Sequence, residues 1–147
     1  MKKARAVHLK GVTFLGITDS RHWVPMDGPE EFGGSGAGAR PKELLLLALA
    51  GCTGSDVASM LSKMRVPYTK FEVDIEAEMS DGHPKVYTKI LVVYRFWGED
   101  LDPSKLERAI ELSETQYCGV SAMLRPSVDL TSRFEINPKV TDFVSGS

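Results

Sequence analysis

The chain has 147 residues, 42% of them apolar and 26% charged, with a formal net charge of −2. That composition excludes a disordered, collagenous or disulfide-dense chain, and so small a charge supplies no field to recruit nucleic acid or an anionic membrane surface. The length suits one domain over 1–147, with a core from about residue 3 to about 136.

Residues 3–26 read as a meander of two or three short strands. Ala4–Lys10 alternates weakly, Gly11 punctuates, and Val12–Ile17 is a β-branched and aromatic run. A turn over Thr18–Arg21 then precedes His22–Met26. Residues 27–40 hold five glycines and read as a mobile loop. A phosphate cradle is the alternative there, against which the GxxxxGK[ST] order is missing.

Residues 41–64 read as one long helix. Pro41 suits the first helical position, and 24 residues span about 36 Å. Leu44–Ala50 is apolar on every side, which predicts burial all round. Val57, Met60, Leu61 and Met64 then share one side, and Pro67 stops the helix. Glycines at 51 and 54 are costly inside a helix, and such residues usually permit close approach of another segment.

Phe71, Val73, Ile75 and Ala77 alternate with acidic residues, the pattern of a half-buried strand. A turn over Ser80–Pro84 returns the chain as Val86–Trp97, apolar on both sides and therefore central. Asp102 and Pro103 open a second helix, ending near Thr115 and followed by Cys118, a short helix 119–124, and a strand 128–136. The tail from Asn137 to Ser147 reads as partly mobile. Segregated strands and helices give an α+β class.

No apolar run follows the basic start, and the longest one, Leu44–Ala50, is far short of the ~20 residues of a membrane span. The expected location is cytoplasmic, where cysteines are reactive more often than structural. No CxxC or HExxH spacing occurs, so no metal or cofactor is expected.

The chemistry therefore centres on Cys52 and Cys118. Cys52 lies in the long helix between the two glycines, where it also reads as a small buried hydrophobe. Asp56, at i+4 on the same face, would raise a neighbouring thiol pKa; Arg21, Arg40 and Lys42 are the upstream candidates for opposing it. Cys118 opens the short helix, where free N–H groups and the helix dipole favour a thiolate. If folding unites them, one sulfur can be oxidised by a peroxide and the other can resolve the sulfenic acid to a disulfide. His22, Trp23 and Trp97 could line an apolar pocket, with packing as their simpler role. His83 reads as solvated, and Met60 and Met64 as core.

The segments RPKELLLLALAGCTGSDV (40–57) and QYCGVSAML (116–124) together resemble the OsmC/Ohr family of hydroperoxide-resistance proteins, in a divergent branch similar to its YhfA-like subgroup. The resemblance spans about residues 1–136. It implies antiparallel sheets packed around a long buried central helix, in an interlocked homodimer. It also implies thiol-dependent reduction of organic hydroperoxides, with Cys52 peroxidatic, Cys118 resolving, and a dithiol or lipoylated protein as reductant. The family glutamate ten residues before the first cysteine falls here on Lys42; Glu43, one residue late, reads either as its surrogate or as a solvated N-terminal charge that suits the helix dipole, and Arg21 is the nearest counterpart of its arginine partner. Gly119 stands where a proline often follows the second cysteine.

Overall fold

A computed structural model describes residues 1–139 of the chain, so most of the tail expected to be mobile lies outside the described residues. The chain divides into two compact units, Met1–Leu47 and Ala48–Ser147.

The N-terminal unit is the expected meander. Strands β1 (Ala4–Lys10), β2 (Thr13–Thr18) and β3 (Trp23–Met26) pair antiparallel in that order. Gly11 joins β1 to β2 at φ +51°, and a Cβ there would meet the Gly33 carbonyl oxygen at 2.2 Å, so only glycine fits. Its buried side chains are polar, Thr13 and Asp27, whereas Val7, Leu9 and Trp23 are 40%, 54% and 56% exposed.

The glycine-rich loop is organised by Asp27. Its carboxylate accepts from the N–H groups of Gly28 (2.8 Å), Ser35 (3.2 Å) and Ala37 (3.1 Å), and from the hydroxyls of Ser35 (2.8 Å) and Thr13 (3.0 Å). Neither expectation for this loop was complete: its amides do converge on an anion, but the anion is the protein's own side chain. Burial alone would raise the Asp27 pKa; the Gly28 and Ala37 amides and the two hydroxyls outweigh it and hold the carboxyl well below its usual range. A depressed pKa adds stability above the unfolded value of about 3.9, lost as pH falls below it. Asp27→Asn should therefore unfold more easily at neutral pH and lose less stability on acidification; thermal melts from pH 7 down to pH 3 check both.

Helix α1 (Pro41–Lys63) crosses from one unit into the other. Pro41 starts it, and the Arg40 N–H donates to Glu43 Oε2 at 3.0 Å, one half of a capping box. It ends in a Schellman turn, with Arg65 left-handed at φ 57° and the Val66 N–H donating to the Leu61 carbonyl. The expectation that its first half is buried all round fails in the single chain: Leu45 and Leu47 are 47% and 62% exposed. The cover is one-sided, a stripe of Leu49, Thr53, Val57 and Leu61. By length and hydropathy alone α1 could also cross a bilayer.

The C-terminal unit holds the core. Strands β4 (Lys70–Met79), β5 (Tyr87–Trp97) and β6 (Asp129–Ile136) form a second sheet with β5 in the middle. Ile90, Val92, Val93, Tyr94 and Phe96 of β5 are all buried, on both faces, as the apolar run predicts. One expectation is corrected here: the sheet is mixed, not antiparallel, because β6 pairs parallel to β5 from Lys89↔Asp129 to Phe96↔Ile136. The connection from β5 to β6 is long and helical, the kind that returns a strand in the same direction. Gly54 of α1 faces β4, where a Cβ would stand 3.3 Å from Val73 Cγ2, whereas Gly51 faces open space.

Helix α2 (Pro103–Leu112) is capped by Asp102, whose side chain accepts from the Ser104 N–H at 2.9 Å, and buries Leu106, Ala109 and Ile110. It runs into a π-helical turn, Ser113–Tyr117, and then α3 (Gly119–Leu124). Such turns interrupt α-helices and often mark functional sites.

Candidate active site at the cysteine pair

The C-terminal unit brings Cys52, Asp56 and Cys118 together. The two sulfurs and a carboxylate oxygen all lie within 4.8 Å of one another. Both cysteines are free thiols, Cys52 half-buried and Cys118 buried at 3% exposure. Cys52 and Asp56, four apart on α1, present neighbouring side chains. Cys118 comes from the end of the π-helical turn, 66 residues along the chain.

Ser113 is the residue that sequence reasoning missed. It is fully buried and serves both sides of the cluster. Its carbonyl accepts the Cys118 N–H at 2.8 Å, closing the π-helical turn, and its hydroxyl donates to Asp56 Oδ2 at 3.1 Å. No periodicity signals such a role, because it depends on where α2 loses its regular pitch.

Behind Ser113 runs a chain of hydroxyls. Thr53 Oγ1 stands 2.8 Å from Ser113 Oγ and 2.7 Å from the Tyr94 hydroxyl, which donates to Glu114 Oε1 at 3.1 Å. Burial drives the Tyr94 phenol well above its usual value; the Thr53 hydroxyl opposes this and the nearby Glu114 charge adds to it. Thr53 is thus the hub linking β5 to the turn that aims both Asp56 and Cys118. Thr53→Val keeps the shape but removes the bridging hydroxyl, at a cost of about 1–3 kcal/mol. Urea unfolding should register the loss, with a parallel change in Cys118 alkylation rate as the turn loosens.

The expected electrostatics of Cys118 are reversed. It does cap α3, its sulfur accepting from the Ser121 N–H at 3.4 Å. Burial nevertheless raises its pKa; the Ser121 hydroxyl and amide oppose the rise, and Cys52 adds to it. One turn of helix offers few free amides, too little to offset loss of water from a thiolate.

The remaining candidates have local surroundings of their own. Glu43 and Arg21 belong to the N-terminal unit, where Glu43 closes the α1 cap and Arg21 is an exposed, left-handed turn residue whose N–H donates to the Thr18 carbonyl at 2.9 Å. His22 and Trp23 are exposed residues of that unit. Trp97 is structural: its Nε1 donates to the Pro138 carbonyl at 3.0 Å, and Lys70 Nζ lies 4.6 Å from its ring centroid. Met60 and Met64 are half-buried rather than core, and line a cavity of about 410 Å³ together with Asp56, Leu112 and Tyr117.

Residues 33–133 match the family described as OsmC-like protein. Protein YhfA of Escherichia coli K12 is 36% identical over 135 residues, covering 91% of this chain and 97% of the relative. Among solved structures, a protein of Aquifex aeolicus VF5 superposes with a TM-score of 0.77 at 27% identity, over 94% of this chain and 98% of that one. An organic hydroperoxide resistance protein OsmC of Legionella pneumophila has the same fold at 17% identity, with a TM-score of 0.66 over 92% and 96% of the two chains. Sequence identity over nearly the full length, a matching family region that includes both cysteines and a shared fold agree: the chain belongs to the OsmC-like protein family.

Proposed function

We propose that the protein reduces organic hydroperoxides through Cys52 and Cys118. The observation that carries this reading is the clustering of two free sulfurs within 4.8 Å, from segments 66 residues apart. The half-buried Cys52 is the peroxidatic residue. Its thiolate attacks one peroxide oxygen, the O–O bond breaks, the alcohol leaves with a proton, and Cys52 becomes a sulfenic acid. The Cys118 sulfur then attacks that of Cys52, water leaves, and a disulfide forms. Two electrons pass from the thiols to the peroxide, and an external dithiol or lipoylated protein returns them. Family resemblance and the Legionella relative's name support the substrate class.

The same proposal gives Glu43 and Arg21 the task of activating Cys52, and makes the working form a cytoplasmic homodimer. An N-terminal unit of 47 residues whose buried side chains are polar, and a helix start with Leu45 and Leu47 exposed, are what a second copy would cover. The test is stopped-flow consumption of cumene hydroperoxide or tert-butyl hydroperoxide by the reduced protein. Peroxide loss accompanied by loss of two thiols supports the reading; intact thiols in excess peroxide reject it.

A non-enzymatic role in binding or redox sensing is the second reading, favoured by the cavity beside Asp56 and by burial of Cys118. A ligand retained in native mass spectra, with no peroxide turnover, would select it.

A further inference from the structure

We propose that, when reduced, Cys52, Asp56 and Cys118 form a binding site for a thiophilic divalent cation of the zinc class, with the fourth coordination position open. Spacing along the sequence argued against a metal because no two ligands form a recognised motif. Folding supplies what spacing lacks: an i, i+4 pair on α1 and a third ligand from the π-helical turn.

The geometry is close to what such an ion needs. Two sulfurs each ~2.3 Å from a tetrahedral zinc stand about 3.8 Å apart. The three donor atoms are already within 4.8 Å of one another, so the two sulfurs need to approach by no more than about 1 Å. Two sulfurs with one oxygen select zinc, cobalt or cadmium over magnesium or calcium, which take all-oxygen sites.

The surroundings also suit a metal. Bound ligands are usually oriented by hydrogen bonds from outside the first sphere. Here the Ser113 hydroxyl fixes Asp56, and the Ser121 amide points at the Cys118 sulfur. Asp56 also stands in the wall of a cavity of about 410 Å³. Three protein ligands and an open position describe an exchangeable site rather than a structural one.

Binding one M²⁺ converts two thiols to thiolates and releases two protons, with no change of oxidation state. Metal occupancy and a Cys52–Cys118 disulfide exclude each other, since both use the same two sulfurs.

Anaerobic titration of reduced, metal-free protein with Co²⁺ tests the site. One equivalent should bind with a thiolate-to-cobalt charge-transfer band in the near ultraviolet and release two protons. Asp56→Asn should weaken binding at least tenfold. Cys52→Ser, at the half-buried position, should abolish the band even if Cys118→Ser fails to fold. Absence of the band in the wild type overturns the proposal, as does an affinity unchanged by Asp56→Asn. Peroxide consumption by the same metal-free protein in the presence of chelator is read separately, so failure of the metal site leaves the peroxidase reading to stand or fall on its own.

Discussion

Cys52→Ser should slow peroxide consumption by on the order of 10³-fold or more, the scale of losses when a nucleophile is removed. A hydroxyl in place of the thiol is not nucleophilic at neutral pH, and Cys118 cannot substitute for it. Cys118 is 3% exposed, and burial raises its pKa, so little of it is thiolate when a peroxide arrives. Cys118→Ser should behave differently. Its first turnover should proceed and stop at a Cys52 sulfenic acid, trapped by dimedone. The raised pKa also fixes a pH dependence for the wild type. Disulfide closure needs the Cys118 thiolate, whose population is still growing above the ordinary thiol value of about 8.5. Closure should therefore accelerate with pH through and beyond that value. A closure rate flat above pH 8 would contradict the assignment of Cys118 as resolving residue.

Phe96→Ala should cost about 3–5 kcal/mol, a large share of the 5–15 kcal/mol that holds a domain together. Phe96 is fully buried on the central strand β5, its ring stacked on that of Phe71 with centroids 4.6 Å apart and planes 5° from parallel. Across the pair Phe71 lies directly opposite, so the cavity would open inside the β4–β5 ladder, where the backbone resists collapse. Two residues before it in the same strand, Tyr94 holds the hydroxyl chain behind Asp56. The variant should therefore lose site geometry together with stability. Urea unfolding measures the loss of stability, and alkylation of Cys118 under native conditions measures the loss of site geometry. A cost below about 1 kcal/mol would mean that the core does not rest on this stack.

The sequence is readable where one local pattern decides the outcome. Alternation over Lys70–Met79 marks a half-buried strand, and apolar residues on both sides of Tyr87–Trp97 mark the central one. Pro41, Asp102 and Pro103 announce helix starts through backbone requirements that hold anywhere. What was not readable depends on distant partners. The direction of β6 is set by the crossover through α2 and α3, and its own alternation is the same in either direction. Asp27 looks like an ordinary turn residue because Ser35 and Ala37 reach it only once the loop closes. Cys118 is correctly placed at a helix start, but its titration follows from burial, which no local pattern reveals. Asp56 was legible beside Cys52 because four helical residues make neighbours; Ser113, which aims it, was not.

The proposed function rests on Cys52 and Cys118 acting as a redox pair, and mass spectrometry of the reduced protein after one equivalent of tert-butyl hydroperoxide tests it most directly. The expected product has lost two hydrogens, and peptide mapping joins the segment containing Cys52 to that containing Cys118. Two thiols still free to alkylation, with the peroxide unconsumed, would contradict the account.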